Sequence, residues 1–398
     1  RPGIYSVWGY WSSDGFGYHE YLQFCEDIHA AALYVFNMGI SCEFRSGTFI
    51  PDEKVDSLIQ DILDGIEYAI GPVTSMYGKL RAANGHPKPF PLKYIEVGNE
   101  QHGPRYAARY NRFYKAIKEK YPQIKIMASM GIGDVNKHTT DSMKAIDMVD
   151  EHAYKPAGWA MRNYNHFDKY NRGNWDMYVG EYATNSGVGA GNMNAALSDA
   201  VYIMSMERNS DLVKMSSYAP LFVNINTATA TAPKAWQWDS DLIGYNALNS
   251  YGSPSYYVQK LFGNLLGDKI VPITANNIPT QPKPLTKKDS TDGIKIAPQV
   301  PTVFYSATLD EKTGTVYLKL VNTTGKKQPV SINLNGVGKV SPEATMTVIK
   351  GNKAEDTNTI TEPEKIVPST STIKGVAAKF KRTLDPYSVS VLQLQVNK

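Results

Sequence analysis

Three short runs place acidic residues directly after an apolar stretch: Glu100 after "YIEVGN", Asp150-Glu151-His152 after "MV", and Glu181 after "MYVG". A carboxylate is costly to bury without a partner, so a glutamate closing a buried strand is either a solvated loop residue or a group held for chemistry. Two such glutamates on different strands supply what glycoside hydrolysis needs, one carboxyl to protonate the leaving oxygen and a second to attack the sugar or to activate water. A pair about 5–5.5 Å apart gives retention, and one about 6.5–9.5 Å apart gives inversion. Asn99, beside Glu100, is a candidate for binding the sugar hydroxyl next to the reacting carbon. Strand alternation turns neighbouring side chains apart, so this requires a bulge or the onset of a loop.

His152 has no second His or Cys at metal-ligand spacing and HExxH is absent, so a hydrogen-bonding role is the more natural one. Tyr154 and Trp238 are candidate sugar platforms, with plain packing an equal explanation in a chain of 26 tyrosines and 6 tryptophans. There is no Walker loop, no GxGxxG after a strand and no GxSxG, which removes nucleotide binding and the α/β-hydrolase route.

The elements that must position these residues are legible as alternation. From about residue 17 to 265, helical periodicity alternates with short apolar runs, as in repeated β/α units. Strands are expected at 32–36, 94–97, 124–128, 148–151, 177–179 and 213–217. Val55, Leu58, Ile59, Ile62 and Ile66 form one helical stripe behind Asp52, a plausible N-cap; Tyr106, Tyr110, Phe113 and Ile117 form another, and Leu197, Ala200, Val201 and Met204 a third. A further helix starts at Ser253-Pro254, with Pro at its first position. This pattern favours a closed parallel barrel or a doubly wound sheet. Six strands fall short of the eight of a (β/α)8 barrel and leave two parallel edges unpaired.

After Gly267 the texture changes. Residues 268–301 are proline-rich and read as a linker or long loop, and alternating runs at 303–309, 315–321, 330–334, 345–349 and 388–396 point to an antiparallel β-sandwich over 302–398. The catalytic barrel is therefore expected over residues 1–267. A net charge of +4 without a Lys/Arg cluster among aromatics argues against nucleic acid, and no apolar run is long enough to cross a bilayer. Two cysteines, Cys25 and Cys42, exclude a disulfide scaffold and a four-Cys zinc site. Asn322-Thr323-Thr324 is a glycosylation sequon that permits secretion. The start Arg1-Pro2-Gly3 reads as a processed, cleaved or truncated product.

The runs "YIEVGNEQHGPRYAARYNRFYKAIKEKYPQIKIMAS", "VDEHAYKP", "YVGEYAT", "ERNSDLVKMSSYAPLFVNINTATATAPKAWQWDSDLI" and "VWGYWSSDGFGYHEYLQFCED", in this family's order over about residues 1–270, resemble glycoside hydrolase family 51, the α-L-arabinofuranosidases. The resemblance implies a (β/α)8 barrel that lacks its first two strands in this chain, followed by the sandwich. It implies Glu100 as acid/base, Glu181 as nucleophile, Tyr154 near the nucleophile, His152 as an orienting group and a polar residue between Trp236 and Asp239. The activity it implies is retaining, exo-acting release of terminal α-L-arabinofuranosyl residues from arabinan, arabinoxylan or related glycosides, with no metal or organic cofactor. It also implies an upstream segment supplying barrel strands 1 and 2, without which the chain is inactive, and a homo-oligomer. The family often has two aromatics after the His of the sixth strand; here the first is Ala153, which would widen the pocket. A β-xylosidase or endo-glucanase on the same barrel and an inactive carbohydrate-binding fragment remain open alternatives.

Overall fold

The computed structural model describes residues 4–5, 11–12, 15–42, 45–226, 238–283 and 295–397. Its first layer is a six-stranded, wholly parallel sheet in sequential order: β1 (Ala32–Phe36), β2 (Leu92–Val97), β3 (Lys125–Ile132), β4 (Met148–Pro156), β5 (Asp176–Ser186) and β6 (Val213–Tyr218). All six expected strands are present, and β1 and β6 are the two edges of an open half-barrel.

Alternation sorts each strand between two environments. Ile95, Val97, Ile126, Ala128, Val149 and Val179 belong to the main core cluster outside the sheet, together with the buried Tyr106, Tyr110, Phe113 and Ile117 of helix Gly103–Lys120. On the opposite face, Met127, Met148 and Tyr178, with Leu33, Tyr94 and Met215, fill the floor of the lumen. The lumen is thus apolar at the amino ends of the strands. Its polar residues lie nearer the carboxyl ends.

Helix Val55–Ile70 follows its predicted stripe, but Asp52 is not its cap: a 3-10 turn over Asp52–Lys54 leads in, and Asp52 instead accepts a 2.5 Å bond from Arg109. A carboxylate within reach of a guanidinium gains more from that pair than from one backbone N–H. Ser253 and Pro254 start the last barrel helix as expected, the serine hydroxyl accepting from Tyr256 N–H. Helix Met193–Arg208 is buried on nearly all sides, because it lies between the barrel sheet and the C-terminal layer.

That layer is an antiparallel sheet in the order Lys269–Ile270, Val303–Asp310, Thr315–Asn322, Ser388–Asn397, Glu343–Lys350, Ser369–Lys374, faced by the pair Gln328–Asn333 and Lys379–Leu384. Leu318, Leu320, Leu392 and Leu394 meet Phe380 and Leu384 between the two. The other face of the large sheet, through Phe304, Val321, Ile349 and Val389, joins the barrel core. Among the described residues of 268–301, Lys269–Ile270 extends the large sheet, and Thr280–Pro282 pairs with Gln299–Pro301. The sequon fares differently from its reading as a glycan site. Asn322 is 0% exposed, and its amide donates to the carbonyls of Lys326 and Asp385. Both amide protons are spoken for in the folded chain, which leaves no room there for a glycan.

Candidate active site

The carboxyl end of β2 runs straight into the candidate acid. After Val97 the chain enters Gly98 with φ +85°, and a Cβ there would sit 2.2 Å from Gln101 Oε1 and 2.8 Å from Met38 Sδ, so only glycine fits. Glu100 itself has φ +54°, a left-handed conformation that glutamate rarely adopts. Strain of this kind is kept where the surroundings over-determine the residue. Here Gln101 fixes the turn, its N–H donating to Ser129 Oγ at 3.0 Å and its side-chain amide to Ile40 carbonyl at 3.0 Å. The loop onset that the Asn99-Glu100 pair required is therefore present, and Glu100 is 8% exposed.

Irregularities in β4 and β5 do the equivalent work on the other side. The register shifts between Asp150 and His152, and again between Val179 and Tyr182 where β5 meets β6. Asp150 and His152 enter the lumen. Glu151 turns outward, accepting from His166 Nε2 at 2.8 Å and from the Tyr170 hydroxyl. Glu181 lies in register with His152 on the neighbouring strand.

These elements bring Glu100, Glu181, His152 and Tyr154 together. His152 Nδ1 is 3.0 Å from Glu100 Oε1 and 3.5 Å from Glu181 Oε2, and the carboxylate oxygens of the two glutamates lie within 4.8 Å of each other. The Tyr154 hydroxyl donates to Glu181 Oε2 at 2.5 Å, and the Cys42 thiol donates to Glu100 Oε2 at 2.9 Å. Trp238, 39% exposed, is at the loop after β6, while Trp236 and Gln237 lie outside the described residues.

The electrostatics follow from burial and from these donors. Burial pushes Glu100 up, but hydrogen bonds from His152 and Cys42 and the charges of His152 and Arg45 outweigh it, so its carboxyl lies below the usual range. Glu181 lies above its usual range, raised by burial and by the charges of Glu100 and Asp150 against the pull of His152 and Tyr154. Burial alone would lower His152; the charge and hydrogen bond of Asp150, with Glu100 and Glu181, raise it to about 11. Tyr154 is held in its neutral, donating form by burial and by Glu181.

Among the described residues, two clusters are close enough to gather round a cation: Glu100, His152 and Glu181, and Asp134, Glu151 and His166. In the first, both ring nitrogens of His152 already face carboxylates, Nε2 at 2.7 Å from Asp150 and Nδ1 at Glu100, which leaves no lone pair for a metal. In the second, Glu151 has both oxygens occupied by His166 and Tyr170. Neither cluster reads as a metal centre.

Set against known proteins, the chain matches two family models, the α-L-arabinofuranosidase 1 domain over residues 1–172 and the α-L-arabinofuranosidase C-terminal domain over residues 174–388. It is 34% identical over 405 residues to α-L-arabinofuranosidase 1 of Arabidopsis thaliana, covering 99% of this chain and 54% of that protein. The chain belongs to the α-L-arabinofuranosidases of glycoside hydrolase family 51. Another member, the extracellular exo-α-L-arabinofuranosidase of Streptomyces chartreusis, is 38% identical over 287 residues, 71% of this chain and 33% of that protein. The arabinose-bound structure of the family 51 enzyme MgGH51 superposes with a TM-score of 0.84 at 30% identity, over 100% of this chain and 60% of that one. The chain spans about half the length of the curated relatives it matches. The junction between the two family models, near residue 173, falls between β4 and β5, inside a continuous sheet.

Within this family's pattern, one expectation fails. Ala153 is buried in the hydrophobic core rather than lining the lumen, so it does not widen the pocket. Its neighbours His152 and Tyr154 face the glutamates, and alternation turns it the other way. Sequence reasoning missed two residues and gave a third no role. Cys42 entered only the count that excludes a disulfide scaffold and a four-Cys zinc site, although it follows β1 by a few residues, where the logic of strand carboxyl ends applies. Glu96 lies deeper, and Asp150 stood out as a charge after "MV" with nothing but strand parity to hint that the two share the lumen.

Proposed function

We propose that this protein is a retaining, exo-acting α-L-arabinofuranosidase. The observation that carries the reading is the approach of the Glu100 and Glu181 carboxylates to within 4.8 Å at the carboxyl ends of β2 and β5, in a chain of this family. A separation no greater than that falls short of the ~6.5–9.5 Å that direct inversion by water needs, which favours a nucleophile and acid/base pair. Glu181 attacks the anomeric carbon while Glu100 protonates the glycosidic oxygen, an order that needs Glu100 protonated and Glu181 ionised and therefore a reversal, on substrate binding, of the directions the free site shows; Glu100 then takes a proton from water as that water breaks the glycosyl–Glu181 ester. Tyr154 fixes Glu181, and Asn99 and Trp238 hold the sugar from the rim. One relative named exo-acting and a neighbour holding arabinose support a terminal arabinofuranosyl group on arabinan, arabinoxylan or a related glycoside as the substrate. The name of the Streptomyces relative supports a place outside the cell, and no helix of the described residues is long and apolar enough to cross a membrane.

We further propose that the catalytic unit spans residues 1–267 and the sandwich 302–398, with a further segment closing the barrel along β1 and β6. The two unpaired edges, and Val35, 43% exposed on β1, support that closure. The test of the activity is the leaving-group dependence of Glu100→Ala. A loss of about 10²–10⁴-fold in kcat/KM is expected on natural glycosides, while on activated aryl arabinofuranosides kcat/KM, which reports only the first step, is largely spared and kcat falls for want of a base. Equal loss on both substrates counts against Glu100 as the acid.

A further inference from the structure

The two-step reaction moves negative charge from one glutamate to the other. Before the first step Glu181 is the carboxylate; after it, Glu181 is an ester and Glu100 is the carboxylate. His152 Nδ1 lies close to both, at 3.0 Å from Glu100 and 3.5 Å from Glu181. A neutral imidazole could serve there as a donor, but its worth to a buried anion is far smaller than that of an imidazolium.

The lumen below His152 is arranged to keep that charge. Asp150 Oδ2 takes Nε2 at 2.7 Å, and Oδ1 takes the Gly180 N–H at 2.7 Å. A Cβ on residue 180 would stand 2.2 Å from Asp150 Oδ1, so glycine in "YVGEY" is what lets Asp150 in. Below it Glu96 is 2% exposed, and as a carboxylate it would leave Oε1 without a donor. Burial, and after it the charge of Asp150, hold the Glu96 carboxyl well above its usual range, so that it stays protonated and can serve as a donor toward Asp150. The other groups facing this column do not compete: Tyr106 and Tyr178 stay neutral under burial and the nearby carboxylates, Tyr154 donates to Glu181, Cys42 donates to Glu100, and Arg45 adds positive charge near Glu100.

We infer that His152 is a permanently charged imidazolium that follows the reaction: its Nδ1–H, on Glu100 at 3.0 Å in the free site, turns to Glu181, 3.5 Å away, when Glu100 takes up its acid proton, and returns to Glu100 once Glu181 is an ester, with Asp150 and the neutral Glu96 as the positioning residues that keep it protonated. The inference rests on the assignment of Glu100 and Glu181 as the reacting pair. No proton leaves His152 in either step. The proton given to the leaving oxygen comes from Glu100, and that returned to Glu100 comes from water. One cation thereby neutralises whichever glutamate carries charge, which is what permits Glu100 to be an acid in one step and a base in the next.

The test is a pH titration of His152 in the protein as it is naturally made, with histidine labelled and its imidazole N–H resonances followed. The expected result is two N–H protons on His152 through neutral pH and loss of one only on approach to about pH 11. Titration near the ordinary histidine range overturns the inference without any variant. Glu96→Gln keeps a neutral donor to Asp150 and is expected to leave this titration in place; a downward shift of about one unit or more contradicts a neutral Glu96. Asp150→Asn is expected to bring His152 down into the neutral range. It is also expected to move the acid limb of kcat/KM up by about one pH unit or more, because Glu181 loses its cation. A uniform loss of activity with an unmoved limb would mean that Asp150 is only structural. A protein that cleaves no arabinofuranoside would fail the functional reading, and the titration would still decide the charge of His152.

Discussion

The fold buries two cations against glutamates, and the two sites are built on opposite principles. At the interface between barrel and sandwich, Lys319, 0% exposed, bonds Glu207 one to one, with Ser306 at 3.4 Å on the other carboxylate oxygen and the Phe262 ring 4.4 Å from the ammonium. In the lumen, His152 faces three carboxylates and an opening. The interface pair is closed and balanced, whereas the lumen holds more negative charge than its one imidazolium cancels. Burial raises Glu207 and lowers Lys319 despite their pairing, so that pair carries a net desolvation cost. At His152 the surplus of carboxylates overcomes burial and raises the imidazole. A balanced pair fixes how two layers sit together. An unbalanced cluster stores a charge for chemistry.

Breaking either site should therefore have opposite signatures. The largest effect is expected from Glu181→Gln, with activity falling by about 10⁴-fold or more. Its unfolding free energy in urea should hold or rise, since a carboxylate raised by burial and like charges costs stability when ionised. Lys319→Met should do the reverse, costing about 3–5 kcal/mol of stability by stranding Glu207, with kcat/KM nearly unchanged where the protein remains folded. The double variant Lys319→Met/Glu207→Leu should recover most of that loss, because an apolar pair of similar volume avoids the desolvation cost. A double variant as unstable as the single one would mean that the pair contributes net stability.

The smallest effect concerns Asp199, which accepts from Ser255 Oγ at 2.6 Å and from Thr184 N–H at 3.0 Å, and which burial raises to about 6. A carboxyl raised on folding contributes stability that is fully present below its unfolded value near 3.8 and is lost as pH rises through about 6. Unfolding measured between pH 4 and 7 should show that decline, and Asp199→Asn should flatten it.

Much of the architecture was legible because burial writes itself into spacing. The six barrel strands are apolar runs of the right length, and Glu100 and Glu181 stand out as charges at their ends. The strands Ser369–Lys374 and Lys379–Leu384 were not legible: "STSTIK" carries one apolar residue and is largely exposed, and "KFKRTL" carries two, Phe380 and Leu384, spaced four apart rather than alternating. The left-handed backbone at Glu100 left no mark in residue type, since glutamate does not signal positive φ as Gly98 does. Glu96 reads as an ordinary strand residue and Asp150 only as a charge after "MV", and the role of both depends on contacts between strands of different units. Asp52 shows the same limit, its helix-cap signal overridden by Arg109 from a distant helix.

The pairing of Glu100 with Glu181 is tested most directly by trapping the intermediate. Glu100→Ala, given an arabinofuranosyl donor with an activated leaving group, should form the glycosyl ester and then stall for want of a base, and mass spectrometry should place one added arabinosyl unit on the peptide carrying Glu181. An adduct on any other residue, or turnover with no adduct and inverted product, would contradict the account.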